Sequence, residues 1–201
     1  MKFLLKSASF IFHPLWIPLA GSLLYFLFTP RFFPPGVMQA KLLAIAILTV
    51  FIPVVFYFLL KNLGKAQSIF LEDVRERRWP LLFFAILITM VLNQILNAYN
   101  YAALYYFFVG ILFSTLLAFT LVLFRLKASL HIMALSGLII FLIGVSLNFQ
   151  LNLTYTISFL ILALGITASS RLYYKAHTYN ELLLGLFCGV IPQSLVLYFW
   201  L

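Results

Sequence analysis

Seven apolar runs, each parted from the next by a short polar interval, set the pattern of this chain. They cover Phe10–Phe28, Leu42–Leu60, Pro80–Leu96, Tyr101–Phe124, Leu130–Phe149, Leu151–Ser169 and Leu182–Leu201. Runs of this length match the ~30 Å hydrocarbon layer of a bilayer, some with tilt. The pattern predicts an all-α, polytopic transmembrane helix bundle of six to seven spans. Pro14 and Pro18 interrupt the first run and the third is short, so the six-span arrangement would leave Phe10–Phe28 in the interface.

Composition strengthens this picture. Of 201 residues 65% are hydrophobic and 8% charged, more apolar surface than a small soluble globule can hide. No Gly/Ser-rich linker, repeat or low-complexity segment divides the chain, so residues 1–201 read as a single integral membrane domain. Lys2 and Lys6 ahead of an apolar stretch suggest a secretory signal, but the stretch continues through two prolines without a small-x-small cleavage site. It is expected to be an uncleaved first span. Cys188 is the lone cysteine, so no intrachain disulfide is expected.

Charge is distributed unevenly. Basic residues gather in Lys61–Arg78, Arg125–Lys127 and Arg171–Lys175, and the carboxylates are Glu72, Asp73, Glu76 and Glu181. Two spans separate each basic segment from the next, and an even number of crossings returns the chain to the same side. The three segments therefore share one membrane face, while the opposite connections at Asn97–Asn100 and Gln150–Asn152 carry no charge.

Retention of Lys and Arg on the cytoplasmic side accounts for basic loops by itself. It does not account for His131 and His177, which stand just beyond two of those segments. Arg and Lys groups can surround a phosphate, and two histidines add a nucleophile and a proton donor that work near neutral pH. Glu181 follows His177 by four residues, on one face of a helix beginning near Thr178, where a carboxylate can hold the imidazole in one tautomer. His13, alone before Pro14, reads as a packed or interfacial residue.

Ser170-Arg171-x5-His177-x3-Glu181 resembles the third signature of the type 2 phosphatidic acid phosphatase (PAP2) superfamily, S-R-x5-H-x3-D. Lys127-Ala128-Ser129-Leu130-His131 resembles the second signature, P-S-G-H. Arg75-Glu76-Arg77-Arg78-Trp79-Pro80 is similar to a divergent first signature, K-x6-R-P. The three occur in the family's order and span residues 75 to 181. The resemblance implies a PAP2/chloroperoxidase-like helical core and a lipid phosphate or diphosphate phosphatase that works through a phosphohistidine. His177 would be the nucleophile, Glu181 its orienting carboxylate and His131 the general acid. Arg171, Lys127, Ser129 and Arg75, Arg77 or Arg78 would hold the phosphate oxygens. The family needs no metal or other cofactor, and no carboxylate pair or His/Cys cluster outside the basic segments has ligand spacing.

The chain departs from the pattern in three places. Leu130 replaces the glycine of the second signature, Glu181 replaces an aspartate, and the first signature has unusual spacing, which leaves the choice among Arg75, Arg77 and Arg78 open. The expected partners are a membrane lipid phosphate (a polyprenyl diphosphate such as undecaprenyl diphosphate, phosphatidic acid, phosphatidylglycerol phosphate or a lipid A phosphate) and the bilayer itself, with no nucleic acid. The alternatives are a catalytically inactive family member, or a lipid-binding or transport protein. No Asp, Glu, Lys or Arg falls in the middle of the predicted spans, which counts against ion-coupled transport. Gly185 and Gly189 form a G-x-x-x-G suited to close helix packing, and the last span could also carry a homodimer contact. Asn93, Asn97, Asn148 and Gln193 are expected to hydrogen-bond between helices, and Pro192 to bend the last one. The charge bias of Lys2, Lys6, Lys61 and Lys65 favours a cytoplasmic site in a bacterial inner membrane.

Overall fold

Where prolines and helix stop signals fall decides how the apolar runs become helices. The computed structural model describes residues 7, 9–65 and 73–201; Lys2, Lys6 and Glu72 lie outside the described residues. Six helices are long and apolar enough to cross a membrane: α2 (Pro35–Asn62), α3 (Val74–Ile95), α4 (Ala102–Leu123), α5 (Leu130–Asn148), α6 (Thr154–Tyr173) and α7 (Tyr179–Leu197). A shorter apolar helix, α1 (Pro14–Phe28), precedes them, and no strand occurs among the described residues. This is the build of an integral membrane protein.

The first predicted run is the one that shortens. Pro14 opens a 3₁₀ turn that leads into Ile17–Phe28, because proline suits the first turn of a helix and not its interior. Thr29 ends α1 in an extended conformation just before Pro30, as the residue preceding a proline prefers. At 1.5 Å per residue the fifteen residues of α1 rise about 22 Å, short of the ~30 Å apolar layer.

The second run grows instead. α2 begins at Pro35, seven residues before the predicted Leu42, and carries Lys41 inside it. Lys41 Nζ donates to the carbonyl of Ile95 and lies 4.6 Å from the centroid of Tyr101. Its stem thus runs along apolar helix while the ammonium reaches the uncharged end of the bundle. Arg31 in the α1–α2 connection faces that same end, so the asymmetry of charge is strong without being complete. Within α2, Pro53 follows a π-helical segment, Ile47–Phe51, where the missing proline N–H interrupts the regular ladder.

Four helices end in the same local motif. Gly64, Arg125, Gln150 and Lys175 adopt positive φ, and the next residue donates across the turn: Lys65 to Leu60, Leu126 to Leu121, Leu151 to Ser146 and Ala176 to Arg171. These paired bonds satisfy the otherwise orphaned last carbonyls. The turn at Lys175 reverses the chain between Arg171 and His177.

α7 packs on α5 and α4, α3 on α4, and α6 on α5. Tyr25, Phe107, Phe108 and Phe141 are fully buried among them, with the Phe107 and Phe141 rings stacked at 4.2 Å. Gly185 and Gly189 face the start of α5, against the backbones of Ser129 and Met133, so this pair is occupied within the chain. Pro192 lies buried inside α7 and leaves the Cys188 carbonyl without its helical donor. Two expected interhelical amides behave otherwise. Asn97 Oδ1 accepts from Tyr99 N–H within its own loop, and the buried Gln193 Nε2 has no partner.

Candidate active site

The charged ends of α3, α5, α6 and α7 converge, and three backbone contacts lock the signature segments together. Arg77 Nη1 donates to the carbonyl of Ala128 at 2.9 Å, Lys127 Nζ to the carbonyl of Ala176 at 3.0 Å, and Ser129 N–H to the carbonyl of Glu181 at 3.0 Å. Segments far apart in sequence thereby become one unit.

A cavity of about 270 Å³ opens at this junction. Its polar end is formed by Arg77, His131, Arg171, His177 and His13. The first four are between 5 and 9 % exposed, a degree of burial that charged and ionisable groups rarely reach without a partner. Arg171 Nε has no protein hydrogen-bond partner. The rest of the cavity is apolar and runs between α2 and α3, past Val54, Phe58, Leu81 and Phe84. Val54 and Phe58 are also exposed on the outer surface of the bundle, so the slot reaches the lipid-facing side.

His177 is held by the start of α7. Thr178 and Glu181 form a capping box, which satisfies two N–H groups of the first turn. The Glu181 carboxylate that accepts from Thr178 N–H also accepts from His177 Nδ1, at 2.6 Å. With Nδ1 engaged, Nε2 is the ring nitrogen left for the cavity. Burial, with Arg77 and Lys127 adding repulsion against the pull of Glu181, lowers the His177 pKa to about 4. The imidazole is therefore neutral at physiological pH.

His131 occupies the first turn of α5, and its Nε2 donates to the carbonyl of Ser9 at 3.1 Å. The N-terminus of α5, which brings Leu130 and His131 to the cavity, adds partial positive charge there. Leu130 thus stands where the second signature has glycine. The N–H of Ser129 is taken by Glu181, and the buried Ser129 hydroxyl has no protein partner.

The sequence left three arginines open at the first signature. Arg77 is buried at the cavity, whereas Arg75 and Arg78 are exposed and do not line it. Lys127 braces the Ala176 turn from outside the lining. No protein-family model, curated protein or solved structure matches this chain. Of the candidate site residues, Arg77, His131, Arg171 and His177 line the one cavity. Among the described residues, no group of three or more His, Cys, Asp or Glu is arranged to hold a metal ion.

His13 is packed, as the sequence suggested, but the place where it packs was not foreseen. Its ring stands edge-on to His131, with centroids 5.2 Å apart and planes at 83°. Burial and the nearby Arg171 lower its pKa to about 4. No local motif signals this, because the contact joins α1 to α5 across more than a hundred residues.

Proposed function

We propose that this protein is a membrane-embedded lipid phosphate or diphosphate phosphatase that acts through a phosphohistidine on His177 and requires no metal. The observation that carries the proposal is the His177–Glu181 bond at the polar end of a cavity that also holds Arg77, Arg171 and His131. A carboxylate on Nδ1 orients Nε2 for attack and stabilises the positive ring that forms. Two buried guanidinium groups supply the fixed positive charge on which phosphoryl transfer chiefly depends.

In the first step His177 Nε2 bonds to phosphorus as the bond from phosphorus to the lipid oxygen breaks. His131, which takes up a proton as the negative charge of the phosphate enters the cavity, gives it to that oxygen and is left neutral. Water then attacks the phosphohistidine, its proton passes to His131, and the N–P bond breaks to release phosphate. The apolar slot between α2 and α3 suits a substrate whose tail stays in the bilayer, such as a polyprenyl diphosphate or a glycerophospholipid phosphate.

Phosphate release from a panel of lipid phosphates in excess chelator, by wild type and His177→Ala, tests the proposal. Release by the wild type and none by the variant is expected. No release from any substrate by the wild type removes support for a phosphatase, and equal release by both proteins overturns the nucleophile.

A further inference from the structure

The segment ahead of α1, itself outside the three signatures, meets residues of two of them. The Ser9 carbonyl accepts from His131 Nε2, the Ser9 hydroxyl pairs with Ser170 Oγ at 2.8 Å, and His13 packs edge-on against His131. Part of the role of His13 is local. Its Nδ1 accepts from Leu15 N–H at 3.4 Å and caps the turn Pro14–Trp16. A cap needs only an acceptor, which Asn, Ser or Asp supplies as well. It needs no ring, and no ring facing a second imidazole inside a cavity.

We propose that His13 is a positioning residue for His131, its ring holding the imidazole in the plane it has in the structure, so that Nε2–H passes from the Ser9 carbonyl to a leaving oxygen seated beside it. This inference rests on the phosphatase reading. The torsion that turns an imidazole about its Cβ–Cγ bond is broad, so the plane of His131 must be fixed by its neighbours. The bond to Ser9 cannot fix it during the reaction, because that bond uses the proton that has to be transferred. A ring packed at 5.2 Å leaves the proton free and still excludes rotation. As the bond from phosphorus to the lipid oxygen breaks and the N–P bond to His177 forms, the lipid oxygen takes the His131 proton. His13 gains and loses nothing in this exchange.

Two variants divide the cap from the ring. His13→Asn keeps an acceptor for Leu15 and removes the ring; His13→Phe keeps a ring and removes the acceptor. Each is assayed on a long-chain alkyl phosphate, whose leaving oxygen needs a proton, and on p-nitrophenyl phosphate, whose leaving group departs without one. General-acid catalysis contributes about 10²–10⁴-fold, so a misoriented acid should cost His13→Asn about tenfold in kcat on the alkyl phosphate. KM should stay the same, and p-nitrophenyl phosphate turnover should fall by less than about threefold. His13→Phe should retain alkyl phosphate turnover within about threefold of wild type. Equal losses by His13→Asn on both substrates, or full activity of His13→Asn with impairment of His13→Phe, overturn the inference and leave His13 as a cap. Wild type inactive on both substrates is a different result: it removes the phosphatase reading and this inference with it.

Discussion

Gly185 lies so close to Ser129 that a methyl group on its Cα would stand 2.5 Å from the Ser129 carbonyl oxygen. One turn earlier, Glu181 accepts from the N–H of the same serine. The last helix is thereby pressed onto the segment that carries His131, and the glycine is what allows the approach. Gly185→Ala must push the two apart. Overpacking of this kind costs about 1–3 kcal/mol, and the variant should lose that much stability in detergent together with most of its turnover. Gly165, on α6 with open space around it, is the control, and Gly165→Ala should leave turnover unchanged. Unaltered unfolding of Gly185→Ala would show that the contact does not constrain the site.

Among the three arginines near the first signature, only Arg77 lines the cavity. A charge-assisted hydrogen bond to a buried group is worth about 1.5–3 kcal/mol, so Arg77→Ala should lower kcat/KM on a lipid phosphate by at least about tenfold. Arg77→Lys should recover only part of the loss, since an ammonium lacks the planar fork of guanidinium. Arg75→Ala and Arg78→Ala should stay within about threefold of wild type, as exposed charges contribute little. Equal losses in all three alanine variants would place the phosphate-binding charge in the field of the whole loop.

Glu181 holds His177 and caps α7 with the same oxygen. Glutamine is as good as glutamate in the third position of a capping box, so Glu181→Gln separates the two roles. Its unfolding midpoint should remain near that of wild type while kcat falls by about a hundredfold or more, the scale of a misoriented acid–base group. Retained kcat would mean that the carboxylate is structural.

The pKa of His177 is depressed from 6.5 to about 4. Between those values the unfolded chain binds a proton that the folded one does not, so stability rises with pH through this window and is lost as pH falls from 6.5 toward 4. His13 contributes in the same direction. Unfolding midpoints in detergent between pH 4 and 7 should therefore climb with pH, and His177→Gln should flatten part of the climb. An identical slope in the variant would mean that His177 is not held neutral.

Features that depend on local spacing were legible in the sequence. The four-residue step from His177 to Glu181 gives the orienting bond directly, and the apolar runs from Tyr101 onward become helices within a few residues of their expected ends. Features that depend on long-range neighbours were not. Nothing near Pro14 says that His13 will meet His131, because that contact is made by packing α1 against α5. Arg75, Arg77 and Arg78 are chemically alike, and only the 3₁₀ turn Val74–Arg77 turns one of them inward. The G-x-x-x-G of α7 announced a close contact, but not that its partner would be the backbone of Ser129. The second apolar run starts just after Lys41, whereas the helix begins at Pro35 and carries Lys41 within it. The long stem and the Ile95 carbonyl let the head reach the end while the backbone stays inside.

The central claim is that His177 Nε2 bonds to phosphorus. Rapid quenching of the protein with a ³²P-labelled lipid phosphate measures this directly, because a phosphohistidine is labile to acid and stable to alkali. Wild type should carry label with that stability on the peptide containing His177, and His177→Asn should carry none. Turnover of the substrate with no label on wild type at any quench time, or label that persists in His177→Asn, would contradict the account.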